Sequence, residues 1–302
     1  TITDPTASSP FGGDGGFAAV KPDATYCYGE YTYLTIHRGD CSDVSNNAKG
    51  IYCGVSLPGS LCFPSNPQNP NWLEDAGSDN NANFIAPFVL DPNNSNRIIA
   101  GGRSVWRTND AETDPQPSWF RIKAPYTHNV TAIAIAPGNS NIIWIAYGND
   151  TVFKTNNGLD ATPTWTAVDD DEPGTNPFTH FITRILIDED DSDVVYVAQG
   201  GFENGRLLKT TTGGIPQPSA TPWVDITGVN FPNAPVRGIA RHPNDPERLY
   251  VGTEIGLYST DDGGDVWKME LVGPANVAVD EVTFIKGTTT LLAATHGRGL
   301  WT

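Results

Sequence analysis

Short apolar stretches separated by polar turns run along the whole chain, and no apolar face recurs with the 3.6-residue period of a helix. Four stretches superimpose in register: VLDPNNSNRIIAGG from Val89, AIAPGNSNIIWIAYG from Ala134, LIDEDDSDVVYVAQG from Leu186 and IARHPNDPERLYVGT from Ile239. Each reads as an apolar strand, a turn of Pro, Asn and Asp, then a strand of β-branched and aromatic residues. Proline presets φ in such turns, and Asn and Asp side chains bond their own backbone. A fainter copy, AAVKPDATYCYGE, begins at Ala18. A third strand follows each clear pair and ends on Thr108, Thr155, Thr210 or Thr260. After another polar turn a tryptophan opens a fourth strand, at Trp119, Trp165, Trp223 and Trp267. The second strands alternate less than surface strands do, as expected of a sheet packed between neighbouring sheets.

Four short strands repeating about every 45 residues predict an all-β chain, a β-propeller of about six four-stranded blades. The units cover about 17–75, 84–123, 130–169, 180–228, 236–272 and 277–302 of one domain spanning 1–302. A cysteine-containing insertion occupies 39–75 of the first. The last unit ends on its third strand, where Trp301 matches Trp106. The N-terminal segment Thr1–Ser9 is therefore expected to supply the missing strand and close the last blade.

Composition narrows the function classes. The 302 residues include 35 acidic and 18 basic side chains, a formal charge of −17 that repels phosphate backbones and anionic lipid. No apolar run is long enough to cross a membrane as a helix. Nucleic-acid binding and membrane insertion drop out; a protein partner, a polysaccharide or copies of the chain itself remain. The four cysteines, Cys27, Cys41, Cys53 and Cys62, form no CxxC pair, so two local disulfides in an oxidising compartment fit better than zinc. Three connectivities are open, and proximity favours Cys27–Cys41 with Cys53–Cys62. The chain opens on Thr1 and reads as a processed product or a fragment, expected to be secreted, extracellular or at the cell surface. Asn93, Asn129 and Asn149 begin N-x-[ST] sequons, candidate glycosylation sites in such a route.

Between the third and fourth strands of the fifth unit the chain reads Thr260-Asp261-Asp262-Gly263-Gly264-Asp265-Val266-Trp267. This matches [ST]-x-D-x-G-x-x-W, the Asp-box of bacterial-neuraminidase-type (BNR) repeats and sortilin-like propellers. The chain resembles that superfamily over nearly its whole length, with GGDGG at Gly12–Gly16 and THGRGLW from Thr295 resembling its secreted bacterial members. The resemblance implies structural roles for Thr260, Asp262, Gly264 and Trp267: the carboxylate ties down turn N–H groups while the indole packs between sheets. Other turns depart from the motif. Asp110 keeps the acid ahead of a longer insertion, Asn157 replaces it with an amide, and Thr212 has no acid.

Propellers bind ligands where the loops leading into first strands meet those joining second to third strands. Register places His128 and His180 at equivalent lead-in positions, and Arg103, Asp150, Glu203, Glu254 and His296 between second and third strands. Tyr31, Asp280 and Glu281 join the same rim, and Trp72, in the insertion, is the tryptophan expected to be exposed. A sialidase would need clustered arginines for the substrate carboxylate. Arg103, Arg184, Arg237 and Arg298 are available, but the Arg-Ile-Pro signature is missing and Arg121–Lys123 falls on a fourth strand. A glycosidase needs two carboxyls about 5–9 Å apart, for which Glu203, Glu254, Asp150 and Glu281 are the candidates. The chain has no Ser-His-Asp order, P-loop, HExxH or dinucleotide fingerprint. No cofactor is expected: the acidic runs Asp169–Glu172 and Asp188–Asp193 lack EF-hand spacing and the second reads as an ordinary strand connection, with calcium on Asp14, Asp188 and Asp190 as the alternative. The expectation is a non-catalytic secreted propeller, serving as an interaction module or a building block of an extracellular assembly. The alternative is a glycoside hydrolase or a carbohydrate-binding propeller acting on polysaccharide.

Overall fold

The computed structural model describes residues 16–42, 48–52, 73–114, 116–168, 176–202, 207–216, 222–274 and 276–302. Its regular structure is entirely β, with no helix among the described residues. Six antiparallel sheets succeed one another along the chain, and within each the strands lie in sequence order, the arrangement of β-propeller blades. The first sheet holds β1 (Ala18–Val20), β2 (Tyr26–Glu30), β3 (Ile36–Asp40) and β4 (Lys49–Gly50). The second holds β5 (Phe88–Asp91), β6 (Asn94–Gly101), β7 (Val105–Thr108) and β8 (Trp119–Lys123). The third holds β9 (Val130–Ala136), β10 (Asn139–Tyr147), β11 (Val152–Thr155) and β12 (Thr166–Ala167). The fourth holds β13 (Ile182–Ile187), β14 (Val195–Gln199), β15 (Leu207–Thr210) and β16 (Val224–Asp225). The fifth holds β17 (Val236–His242), β18 (Asp245–Thr253), β19 (Gly256–Thr260) and β20 (Lys268–Met269). The sixth shows three strands among the described residues, β21 (Val279–Phe284), β22 (Leu291–Thr295) and β23 (Gly299–Trp301), so Trp301 does lie on a third strand.

The described residues divide into two compact units, an N-terminal one (up to Gly148, with Val152–Thr166) and a C-terminal one (Asn149–Thr151 and Ala167–Thr302). The second strands explain their own sequence. Ile98 and Ala100 of β6 sit in one core with Tyr28 and Ile36 of the first sheet. Ile99, between them, sits in another with Ile133 and Ile143 of the third. Alternate side chains enter different cores, so both faces must be apolar. In the C-terminal unit Tyr196 and Ala198 pack with Val251 and Trp267, and Leu257 packs with Val279 and Val282.

The polar turn before each fourth strand has one job: to place its tryptophan. Thr260 donates its hydroxyl to Asp262 Oδ1 (2.6 Å), and Asp262 Oδ1 accepts the N–H of Val266, the residue before Trp267 (3.0 Å). Asp110 does the same for Ser118, before Trp119 (2.8 Å), and Asn157 for Thr164, before Trp165 (2.9 Å). The amide oxygen of Asn157 thus replaces the carboxylate without changing the bond. At the fourth sheet the residue before Trp223 is Pro222, which has no N–H, and there Thr212 stands where the acid would be. The indoles then reach back to the main chain. Trp119 Nε1 donates to Ile51 O (2.7 Å), Trp165 to Ile122 O (3.0 Å), Trp223 to Val168 O (2.8 Å) and Trp267 to Ile226 O (3.1 Å).

Cys27 on β2 and Cys41 just past β3 form a disulfide, Cα–Cα 5.2 Å. Cys53 and Cys62 lie outside the described residues, as do Asp14, Trp72, Glu203, the run Asp169–Glu172 and the proposed closing segment Thr1–Ser9.

Candidate functional site

The candidate site belongs to the C-terminal unit and is built on a repeated backbone irregularity. Strands β13, β17 and β21 pack side by side, each the first strand of its sheet. In β13, Ile182 and Arg184 pair with the adjacent residues Gln199 and Ala198, which leaves Thr183 as the extra residue of a bulge. The same shift leaves Arg237 extra in β17 and Asp280 extra in β21. In the N-terminal unit, β9 has Thr131 at this place. A bulge re-aims the side chain it carries. Thr131 bonds Ala146 O (3.4 Å), and Thr183 bonds Ala198 O (3.1 Å) and, on the neighbouring β17, Val236 O (2.6 Å). In β17 and β21 the bulge instead projects charge.

Arg237 grips two carboxylates. Its Nε donates to Glu254 Oε1 (2.9 Å), with Nη2 on the same oxygen, and its Nη1 donates to Asp280 Oδ1 (2.9 Å). His296 Nδ1 lies 3.5 Å from Asp280 Oδ2. Beside this group Arg184 Nη2 pairs with Glu281. Close strand packing makes the cluster possible. A Cβ on Gly238 would lie 2.9 Å from Val282 N, and one on its strand partner Gly252 would lie 2.5 Å from Val279 O. Only a hydrogen at both positions lets β21, with Asp280 and Glu281, come this close. The Glu281 carboxyl is pushed above its ordinary value, first by the protein crowded around it, while the charge of Arg184 pulls the other way. Its side chain is still 43 % exposed, so water moderates the effect.

Register thus brings together four of the nominated residues, Glu254, Asp280, Glu281 and His296. His180 is anchored in the same unit, ahead of β13: Gln199 Oε1 accepts the N–H groups of Thr179 and His180 (3.1 Å each), and Thr179 Oγ1 lies 3.0 Å from His180 Nδ1. Asp150 adopts a positive φ of 66°, and its carbonyl accepts from Asn176 Nδ2 (3.4 Å). In the N-terminal unit Thr127 Oγ1 meets His128 Nδ1 at 3.0 Å, the same arrangement as at His180. Arg103 Nε donates to Tyr126 O (2.9 Å), and Tyr31 occupies the β2–β3 turn, exposed. Reading the sequence for charge missed two exposed aromatics, Phe181 ahead of β13 and Phe202 beyond β14. Their signal was position, since both flank strand ends already counted as rim.

The other nominated groups are engaged differently. Asp188 is buried and ion-paired with Arg241, whose Nε lies 2.9 Å from Asp188 Oδ2, while Asp190 takes Arg241 Nη2 (2.9 Å), so a guanidinium faces both of these candidate calcium ligands. Among the described residues no three His, Cys, Asp or Glu side chains are grouped to hold a metal. Asn93 Nδ2 donates to Ala136 O (2.9 Å), Asn129 Nδ2 to Asn83 Oδ1 (3.3 Å) and Asn149 Nδ2 to Thr151 Oγ1 (2.9 Å), bonds that a glycan on these nitrogens would disturb.

No family model matches the chain, and no curated protein matches it. Among solved structures it is similar to an ancestral GH74 enzyme, with a TM-score of 0.62 and 18% identity over 97% of this chain and 36% of that one. A GH74 enzyme of Niastella koreensis gives 0.61 and 17% over 95% of this chain and 44% of that one. U3-55K gives 0.59 and 10% over 95% and 76%. The chain spans less than half the length of either GH74 enzyme, and at these identities the likeness is one of fold.

Proposed function

We propose that this chain is a secreted, non-catalytic propeller of the Asp-box type that binds a hydroxyl-rich ligand, such as a polysaccharide, at the rim of its C-terminal unit. The observation that carries the reading is Arg237 held between Glu254 and Asp280. Guanidinium–carboxylate pairs fix hydrogen-bonding edges before a ligand arrives, which lowers the entropy lost on binding. They also neutralise one another in a chain of charge −17. Phe181 and Phe202 offer exposed apolar rings at the same end of the preceding sheet, and rings beside fixed polar edges suit a sugar chain. The threonine–acid turns support the Asp-box reading, and the Cys27–Cys41 disulfide supports an oxidising compartment.

A second reading, a glycoside hydrolase, has its own support. Glu281 is raised towards the range a proton donor needs. Glu254 also shares the Arg237 guanidinium with Asp280, the residue before Glu281. Here Glu281 would donate the proton and Glu254 would act as base. Incubation with a polysaccharide panel, assayed for new reducing ends, separates the two. Binding without release supports the module; release abolished in both Glu281→Gln and Glu254→Gln establishes the enzyme.

A further inference from the structure

In the N-terminal unit a second group stands apart from this rim. Glu30, the last residue of β2, is 4 % exposed. Its Oε1 accepts two main-chain N–H groups, from Leu34 in the β2–β3 turn (3.2 Å) and from Ala86 ahead of β5 (3.4 Å). Its Oε2 is buried with no hydrogen-bond partner among the described residues. That oxygen lies against Gly16, where a Cβ would fall 1.8 Å away. The turn it holds is strained: Tyr33 and Leu34 both have positive φ, 50° and 62°, which is costly for bulky side chains. The turn in turn grips the segment leading to β5. Tyr33 N–H donates to Phe84 O (2.9 Å), and the two rings meet edge to face with centroids 5.4 Å apart.

We propose that Glu30 is a proton-operated latch: its neutral carboxyl holds the strained 31–35 turn closed over Phe84–Ala86, and ionisation releases the turn. The spring is the left-handed pair at 33 and 34, and the catch is Oε1. A neutral carboxyl keeps both N–H bonds, whereas an ionised one strands a charged oxygen away from water, a cost that opening relieves.

Burial raises the Glu30 pKa to about 7, opposed only by its two N–H bonds. The charged groups on neighbouring elements are engaged elsewhere. Lys21 pairs with Asp23 and Glu112, Arg38 with Asp114, and Asp75 with Ser104 N and Trp106 Nε1. His37 Nδ1 lies 3.2 Å from Thr35 O, and burial lowers its pKa. The closed state therefore binds a proton more tightly than the open one. Closure is complete at acid pH and weakens as pH rises from about 4.5 through about 7.

Amide hydrogen exchange, corrected for intrinsic rates, tests this on the whole chain. Between about pH 5.5 and pH 8, protection of residues 32–35 should fall roughly 25-fold. Glu30→Gln, which keeps an acceptor but cannot ionise, should flatten that dependence, leaving only any contribution of His37. The Glu30 side-chain carbon should titrate near neutrality by NMR, a readout that stands even if variants fold poorly. A titration near 4.5, or the same pH dependence in Glu30→Gln, overturns the proposal. So does restoration of protection at pH 8 by millimolar calcium chloride, which would make the missing partner of Oε2 a metal ion.

Discussion

Trp119 and Trp301 make opposite predictions for the same substitution. Trp119 is fully buried, and its Nε1 donates to the carbonyl of Ile51, itself buried, at 2.7 Å. Trp119→Phe leaves that carbonyl without a donor, which costs about 1–3 kcal/mol, and removes apolar ring surface worth about 1 kcal/mol more. A loss of about 2–4 kcal/mol follows. Trp301, on β23, has a buried Nε1 that finds no acceptor among the described residues. Trp301→Phe removes an unpaired donor along with some packing, and the two effects should cancel to within about 1 kcal/mol. Urea unfolding followed by far-UV circular dichroism gives both shifts in one assay. Equal losses in the two variants would refute the hydrogen-bonded staple, because packing alone would then explain both.

Three further expectations follow from the fold. Asp262→Asn should barely move the urea midpoint, since Asn157 already performs this role, whereas Asp262→Ala should lower it and Thr212→Asp should gain nothing ahead of Pro222. The Asp262 carboxyl is held below its ordinary value, first by the Thr260 hydroxyl and then by Val266 N–H, so its contribution is present above about pH 3.8 and is lost as pH falls through the depressed pKa, a pH dependence that should be absent in Asp262→Asn. Gly238→Ala should cost about 1–3 kcal/mol by forcing β17 and β21 apart, and should weaken ligand binding at the displaced Asp280 and Glu281, both measurable on one preparation by thermal shift and titration calorimetry. Reducing Cys27–Cys41, which closes a loop of 14 positions, should lower stability by about 3 kcal/mol, read as a shift in melting temperature with and without reductant.

The repeats made the fold legible because apolar second strands, polar turns and recurrent tryptophans are local signals that each blade must carry. The turns misled where chemistry was read as letters. Asn157 and Thr212 look like erosion of an acid motif, but the turn needs an oxygen acceptor when the next N–H exists and none when proline follows. The rim was legible as positions, and the structure joins Glu254, Asp280, Glu281 and His296 there. It was not legible as pairs, because Arg184 and Arg237 reach residues about 97 and 43 positions away in sequence. The bulge has a signature visible afterwards: the residue following Val130, Ile182, Val236 and Val279 is Thr, Thr, Arg and Asp. Glu30 carried no motif at all. Its interest lies in burial and an oxygen unpaired among the described residues, which only packing reveals.

The central claim, ligand binding without turnover at the Arg237 rim, is tested most directly by affinity electrophoresis in gels holding single polysaccharides, run for wild type, Arg237→Met and Phe202→Ala with parallel reducing-end assays. The account predicts retardation of the wild type by at least one polysaccharide, loss of it in both variants, and no released ends. Retardation unchanged in Arg237→Met, or reducing ends released by the wild type, would contradict it.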